Sequence, residues 1–92
     1  MSEITDNTAR HRYEMVVDDE TAYVTYALRG DHITLIHTQV PTALGGRGIG
    51  SKLARAVLDD IRRRGLRVTP ECEFMASFIQ RNPAYADLVA EA

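Results

Sequence analysis

The alternation of apolar and polar residues predicts three β-strands in the first half of the chain. Residues 11–17 alternate, residues 21–28 are rich in β-forming side chains, and residues 32–40 form a third such run. The short polar segments Asp18–Glu20 and Arg29–Asp31 separate these runs and are typical of tight turns. The pattern therefore predicts a three-stranded antiparallel meander.

In the third predicted strand, Ile33 and Leu35 fall on one face and Ile36 and Val40 on the other. Beyond residue 48 the apolar period lengthens to that of an amphipathic helix. The expected buried face of this helix consists of Ile49, Leu53, Ala54, Val57, Leu58 and Ile61.

The last third of the chain predicts a fourth strand and a short helix. Residues 66–69 form the strand, and because a helix connects it to the third strand, the two are expected to be parallel. Thr69 and Pro70 are expected to cap and start a helix that ends at Asn82. The predicted order is β-β-β-α-β-α, an α+β fold, in one domain of residues 10–92 after a flexible tail of residues 1–9.

Composition narrows the function without identifying it. The chain has 92 residues, with 11 basic against 13 acidic side chains, a balance that does not favour nucleic acid or a membrane surface. The run Arg62–Arg64 could form a basic patch, but a solvated helix end is the favoured interpretation. A single cysteine permits no internal disulfide, so a reducing, cytoplasmic setting is expected. No spacing typical of a metal site is present in the sequence.

The strongest chemical signal is a glycine-rich turn with glycines at positions 45, 46, 48 and 50, between a strand and a helix. Such a turn leaves free N–H groups at a helix N-terminus and favours phosphate. The dinucleotide motif G-x-G-x-x-G fails, because Ser51 and Leu53 stand where its last glycine belongs. The P-loop motif also fails, because Ser51 and Lys52 are in the wrong order.

Residues 45–50, followed by Ser-Lys-Leu, resemble the pyrophosphate loop of the GNAT superfamily of N-acetyltransferases, whose pattern is Gln/Arg-x-x-Gly-x-Gly/Ala. Gly48 and Gly50 match its small positions, whereas Gly45 replaces the usual Gln or Arg. Residues 70–74 and 82–85 match two further motifs, Pro-x-Cys-x-Phe and His/Asn-Pro-x-Tyr, of the minimal single-domain GNAT-like proteins. The resemblance covers roughly residues 11–89.

The resemblance implies a GNAT-like fold that uses acetyl-CoA, or CoA, as cosubstrate. The strand end would bind the pantetheine arm and the glycine turn the pyrophosphate, with positive charge from Arg47 and Lys52. The expected cosubstrate-binding residues are Gln39, Val40, Gly45, Gly46, Arg47, Gly48, Ile49, Gly50, Ser51, Lys52 and Asn82.

Cys72 and Tyr85 are the candidate catalytic residues. A free cysteine is often a buried apolar residue, but a helix N-terminus favours the thiolate, and the matching cysteine of the family is its proposed catalytic residue. The like charges of Glu71 and Glu73 oppose a thiolate. Tyr85 could protonate the leaving thiolate in a direct transfer, or be a core tyrosine. Glu71, Glu73 and His37 are weaker candidates for the base.

These observations predict an acetyl-CoA-dependent N-acetyltransferase whose acceptor is an amine of a small molecule or of a protein lysine. The alternative is a CoA-binding regulatory module with little turnover, because the chain lacks the family's peripheral elements. A monomer or a weak homodimer is expected.

Overall fold

The computed structural model describes residues 4–46 and 48–90. Five strands form one sheet: β1 Thr5–Asn7, β2 Arg12–Val17, β3 Glu20–Arg29, β4 His32–Gln39 and β5 Arg67–Pro70. Two α-helices follow β4 and β5 respectively, α1 Ile49–Arg63 and α2 Glu73–Arg81. Short 3₁₀ turns lie at Thr8–Arg10, Thr42–Leu44 and Pro83–Leu88.

The sheet follows the order of the chain, β1-β2-β3-β4-β5. The first four strands are antiparallel neighbours, and β5 pairs in parallel with β4. Parallel pairing needs a crossover, and α1 supplies it. The predicted meander and the predicted parallel fourth strand are both confirmed, and the GNAT-like α+β expectation holds.

The expectation of a flexible tail is wrong where it covers residues 5–7, because these residues form β1, which pairs with β2 from Thr5 opposite Glu14 to Asn7 opposite Arg12. Residues 1–3 of the expected tail lie outside the described residues. Side chains also hold this strand, because Asp6 accepts hydrogen bonds from Tyr26 and Arg64. The strand has only three residues and all are polar, so no apolar alternation marks it in the sequence. Its position is set by partners distant along the chain.

One hydrophobic core lies between one face of the sheet and the two helices. The predicted helical face is confirmed, since all six of its apolar residues are buried. The sheet contributes the alternate residues of β2, β3 and β4, and α2 adds three more side chains, Met75, Phe78 and Ile79. Burial of this apolar surface, more than helix propensity, holds α1 in place.

A bulge in β4 changes which residues face the core. Thr25 pairs with His37 and Tyr26 with Leu35, so that Ile36 is an extra residue in β4. The extra residue leaves Ile36 46% exposed and turns Val40 towards the core, against which it packs. The expectation that Ile36 and Val40 share a face is therefore wrong.

The start of α2 also differs from the sequence-based expectation. Thr69 and Pro70 are the last residues of β5, and Cys72 is the N-cap of α2. A proline is tolerated here because β5 is the last strand of the sheet, and among the described residues its outer side is bridged at Val68, by Val89, and not at Pro70.

Candidate active site

The two parallel strands separate at the carboxyl end of β5. Their last pair is Leu35 with Pro70, whereas β4 continues to Gln39. The N–H groups of Glu71 and Cys72 both donate to the carbonyl of Leu35, at 2.9 and 3.1 Å, so the chain turns into α2 at this point. The remaining residues of β4, up to Gln39, extend past the end of β5. The region beside this strand end and the N-termini of α1 and α2 is called the slot. Ligands of open α/β sheets bind at such carboxyl ends.

The N-terminus of α1 forms the second element of the slot. Gly48 is the N-cap, with φ of 71°, and no side chain caps it within the described residues. The first intrahelical bond runs from the Lys52 N–H to the Gly48 carbonyl, at 3.1 Å. The N–H groups of the first three helical residues, Ile49 to Ser51, therefore have no acceptor within the helix. Together with the helix dipole they form an anion-binding arrangement.

The glycines of this turn differ in their surroundings. A Cβ on Gly46 or Gly48 would meet no atom within 4 Å, and both residues have positive φ. Their backbone is therefore open to a ligand. Gly50 lies inside α1, and its Cβ would approach Phe74 Cζ to 2.9 Å and Val40 Cγ2 to 3.7 Å. Gly50 thus permits close packing of the two helices.

Cys72 lies where α2 begins, beside the end of β4. Its Sγ accepts a hydrogen bond from the Met75 N–H at 3.4 Å and lies 2.9 Å from Thr38 Oγ1. The side chain is 8% exposed, whereas Glu71 and Glu73 on either side are exposed. The thiol is therefore nearly buried at the N-terminus of α2, between two exposed carboxylates.

Thr38 and Val40 connect the two halves of the slot. Thr38 contacts Cys72, and Val40 lies next to Gly50. Since they are two residues apart on one face of an extended strand, they are separated by about 7 Å. The glycine turn and the thiol thus lie along the same strand end, in an arrangement that suits one elongated ligand.

The other predicted residues of β4 and α1 are exposed. Gln39 and His37 are exposed on the outer face of the sheet, with His37 Nε2 at 3.4 Å from Gln39 Oε1. Ser51 and Lys52 are exposed in the first turn of α1. Arg47 lies outside the described residues.

Tyr85 is not brought to the glycine turn. Its hydroxyl donates to Asp59 Oδ1 at 2.7 Å, and Asp59 follows Ser51 by eight residues, about 12 Å along the helix axis. Burial raises the pKa of Tyr85 above its ordinary value, and the bond to Asp59 raises it further. The phenol therefore holds its proton firmly and joins the 3₁₀ turn of Pro83–Leu88 to α1.

Asn82 lies at the opposite end of α2 from Cys72. Its side-chain Nδ2 donates to the Phe78 carbonyl at 2.8 Å, and its backbone N–H donates to Ile79. A helix of nine residues is about 13 Å long. Asn82 thus caps the far end of α2, and its motif stabilises the helix end.

Thr38 is the residue of this site that sequence reasoning missed. Strict alternation from Leu35 would direct His37 towards the core, and only the bulge at Ile36 directs Thr38 there. The sequence gives no sign of the bulge, because isoleucine is equally common in regular β-strands.

Two further features are absent from residues 4–46 and 48–90. No cluster of three or more His, Cys, Asp or Glu side chains suited to a metal ion occurs there. No helix within those ranges has the length and apolar character needed to cross a membrane.

A family model and individual relatives both match this chain. The model of the GCN5-related N-acetyltransferase family matches residues 12–88. The protein NATD1 of Bos taurus is 38% identical over 65 residues, which cover 70% of this chain and 58% of that protein. NATD1 of Homo sapiens is 35% identical over the same length, with coverage of 70% and 58%. The match to this chain thus spans less than two thirds of these relatives.

A solved structure agrees with the sequence comparison. The NMR solution structure of a GCN5-like protein from Staphylococcus aureus superposes with a TM-score of 0.73 at 27% identity. The alignment covers 98% of this chain and 89% of that protein. The shared fold therefore extends over β1 as well as over the region that the family model matches.

Proposed function

Because this chain belongs to the GCN5-related N-acetyltransferase family, we propose that it binds acetyl-CoA in the slot and transfers the acetyl group to an amine. One observation carries the proposal. The free N-terminus of α1 and the thiol of Cys72 both lie beside the last residues of β4, next to Val40 and Thr38. An anion site and a nucleophile on one strand end suit a ligand with a pyrophosphate at one end and a thioester at the other.

Different residues would bind different parts of acetyl-CoA. The N–H groups from Gly46 to Ser51 would hold the pyrophosphate, with Lys52 and Arg47 adding positive charge. The backbone of β4 at Gln39 and Val40 would hydrogen-bond the pantetheine amides as an added strand does. Gly46 and Gly48 matter most in this group, since their positive φ and open surroundings allow backbone to approach phosphate closely.

Bound acetyl-CoA would supply an activated acetyl group, and two routes of transfer are open to the protein. In the covalent route the Cys72 sulfur attacks the thioester carbonyl, an S-acetyl bond forms, and the CoA thiolate leaves and takes up a proton. The acceptor amine then attacks this new thioester and restores the thiol. In the direct route the amine attacks acetyl-CoA itself, and Cys72 only lines the slot. Of the three predicted bases, Glu71 and Glu73 flank Cys72 and could take the amine proton, whereas His37 lies on the outer face of the sheet.

A second candidate function is a CoA-binding module with little turnover. Two observations favour it: the position of Tyr85, the predicted acid, and the small number of elements that could enclose an acceptor. The Tyr85 hydroxyl is bonded to Asp59, and both helices of the described chain pack on the same face of the sheet. The opposite face, which carries His37 and Gln39, is open to solvent, so an acceptor would find few walls around it.

Ligand-dependent stability tests the binding step. Acetyl-CoA and CoA should raise the melting temperature of the purified protein, and NAD and ATP should raise it less. Equal shifts from all three kinds of nucleotide, or none from CoA, would remove the proposal. Native mass spectrometry would show CoA that copurifies, an acetyl group on the protein and whether the chain is a monomer or a dimer.

Thiol release from acetyl-CoA then separates the two candidates. An N-acetyltransferase should release CoA faster when a suitable amine, such as a lysine peptide or a polyamine, is added. A binding module should give the same slow release with and without amine, while still showing the CoA-dependent rise in melting temperature.

A further inference from the structure

We infer that Thr38 is a positioning residue, whose hydroxyl orients the Cys72 sulfur and stabilises it in the deprotonated form. The inference deepens the covalent route and rests on the proposed function. Thr38 Oγ1 lies 2.9 Å from Cys72 Sγ, and Thr38 is half-buried at the end of β4. The contact joins residues 34 positions apart in the chain, so it depends on the folded sheet.

The bulge at Ile36 makes this contact possible. Thr25 faces His37 and Tyr26 faces Leu35, so two registers of β4 meet at the extra residue. Without it, the period of two would place His37 on the Cys72 side and Thr38 on the outer face. Bulges often redirect a side chain next to an active site. Here the redirected side chain is that of Thr38, whose hydroxyl can either donate or accept a hydrogen bond.

The role of Thr38 follows from the hydrogen bonds that its hydroxyl and the Cys72 sulfur can form with each other. A protonated Cys72 can donate its S–H to Thr38 Oγ1, which points the sulfur along the strand end. A deprotonated sulfur can only accept, so the Thr38 hydroxyl must rotate and donate to it. The Met75 N–H already donates to the same sulfur at 3.4 Å. A thiolate in this position would therefore receive two hydrogen bonds at a helix N-terminus, against the like charge of Glu71 and Glu73.

Alkylation of Cys72 by iodoacetamide measures this effect without any CoA ligand, because the thiolate is the reacting form. We expect Thr38→Val, which replaces the hydroxyl with a methyl group, to react about tenfold more slowly than the unmutated protein. Thr38→Ser restores the hydroxyl and should react within about threefold of it. Thr34→Val is the matched control, since Thr34 is half-buried on the same strand but on the outer face, and its rate should be unchanged.

Other outcomes would overturn the inference. An unchanged or faster alkylation of Thr38→Val would do so, and so would a Thr38→Ser rate as slow as that of Thr38→Val. If Thr38→Val does not fold, Thr38→Ala against Thr38→Ser gives the same comparison, and the melting temperature of each variant checks folding. Failure of the proposed function is seen separately, as the lack of a CoA-dependent rise in melting temperature in the unmutated protein.

Discussion

Gly50 and Phe74 bring the two sequence motifs of this chain into contact, because a Cβ on Gly50 would lie only 2.9 Å from Phe74 Cζ. Gly50 belongs to the glycine turn and Phe74 to the cysteine motif. Their contact fixes the first turn of α1 against the first turn of α2. The anion-binding end of one helix and the thiol end of the other are therefore positioned by the same packing interaction.

Gly50→Val should destabilise the protein through Phe74. The added side chain would overpack the contact between the helices, at a cost of about 1–3 kcal/mol in the free energy of unfolding. Phe74→Ala makes room, so Gly50→Val should cost less in that background. Denaturant unfolding of the two single variants and the double variant measures the coupling. Additive losses would show that Phe74 is not the obstacle.

Gly48→Val should lower CoA affinity, and Gly65→Val is its matched control. The two glycines have nearly equal φ, 71° and 70°, and neither has an atom within 4 Å of a built Cβ. Each substitution should cost about 1–2 kcal/mol of stability, since an L side chain disfavours this conformation. Only Gly48 lies at the N-terminus of α1, so only its variant should bind CoA at least tenfold more weakly by titration calorimetry. Normal affinity in folded Gly48→Val would place the phosphate elsewhere.

Cys72→Ala should slow acetyl transfer at least a hundredfold and leave CoA binding intact, if the covalent route holds. The variant also loses the bond from the Met75 N–H, so Cys72→Ser is the control that keeps an N-cap acceptor. Incubation with acetyl-CoA should add one acetyl mass to the unmutated protein, and hydroxylamine should remove it. Full activity of Cys72→Ala would refute the covalent route, and a loss of only a few fold would favour direct transfer.

Tyr85→Phe should lower the free energy of unfolding by about 1 kcal/mol, because it removes the hydrogen bond to Asp59. Asp59→Asn and the double variant complete a cycle that isolates this contact. The same proteins test the predicted acid. A fall in transfer rate of a hundredfold or more in Tyr85→Phe, without a similar fall in Asp59→Asn, would support Tyr85 as the proton donor.

Alkaline pH should destabilise the fold through Tyr26. Burial, together with the hydrogen bond to Asp6, raises the pKa of Tyr26 to about 12, whereas an unfolded tyrosine titrates near 10. Between these values the folded state keeps a proton that the unfolded state has lost. The stabilisation is therefore complete below about pH 10 and is lost as the pH rises towards 12. Urea unfolding at a series of pH values should show a shallower decline for Tyr26→Phe, and an unchanged slope would contradict this account.

Local patterns in the sequence determined most of the elements and the family. The period of two predicted the meander, the longer period predicted α1 with its buried face, and the glycine turn with the residues 70–74 motif predicted the family, which the comparisons confirm. Each of these features is formed by residues close together along the chain, so the sequence shows it without knowledge of the tertiary structure.

Tertiary structure decided what depends on contacts between distant residues. The polar strand β1 exists because β2, Tyr26 and Arg64 hold it, and the bulge at Ile36 appears only in the register of β3 against β4. That one extra residue exchanges the two faces at the end of β4. It therefore decides that Thr38, and not His37, meets Cys72, because side chains of a strand alternate and a shift of one residue moves each of them to the other face.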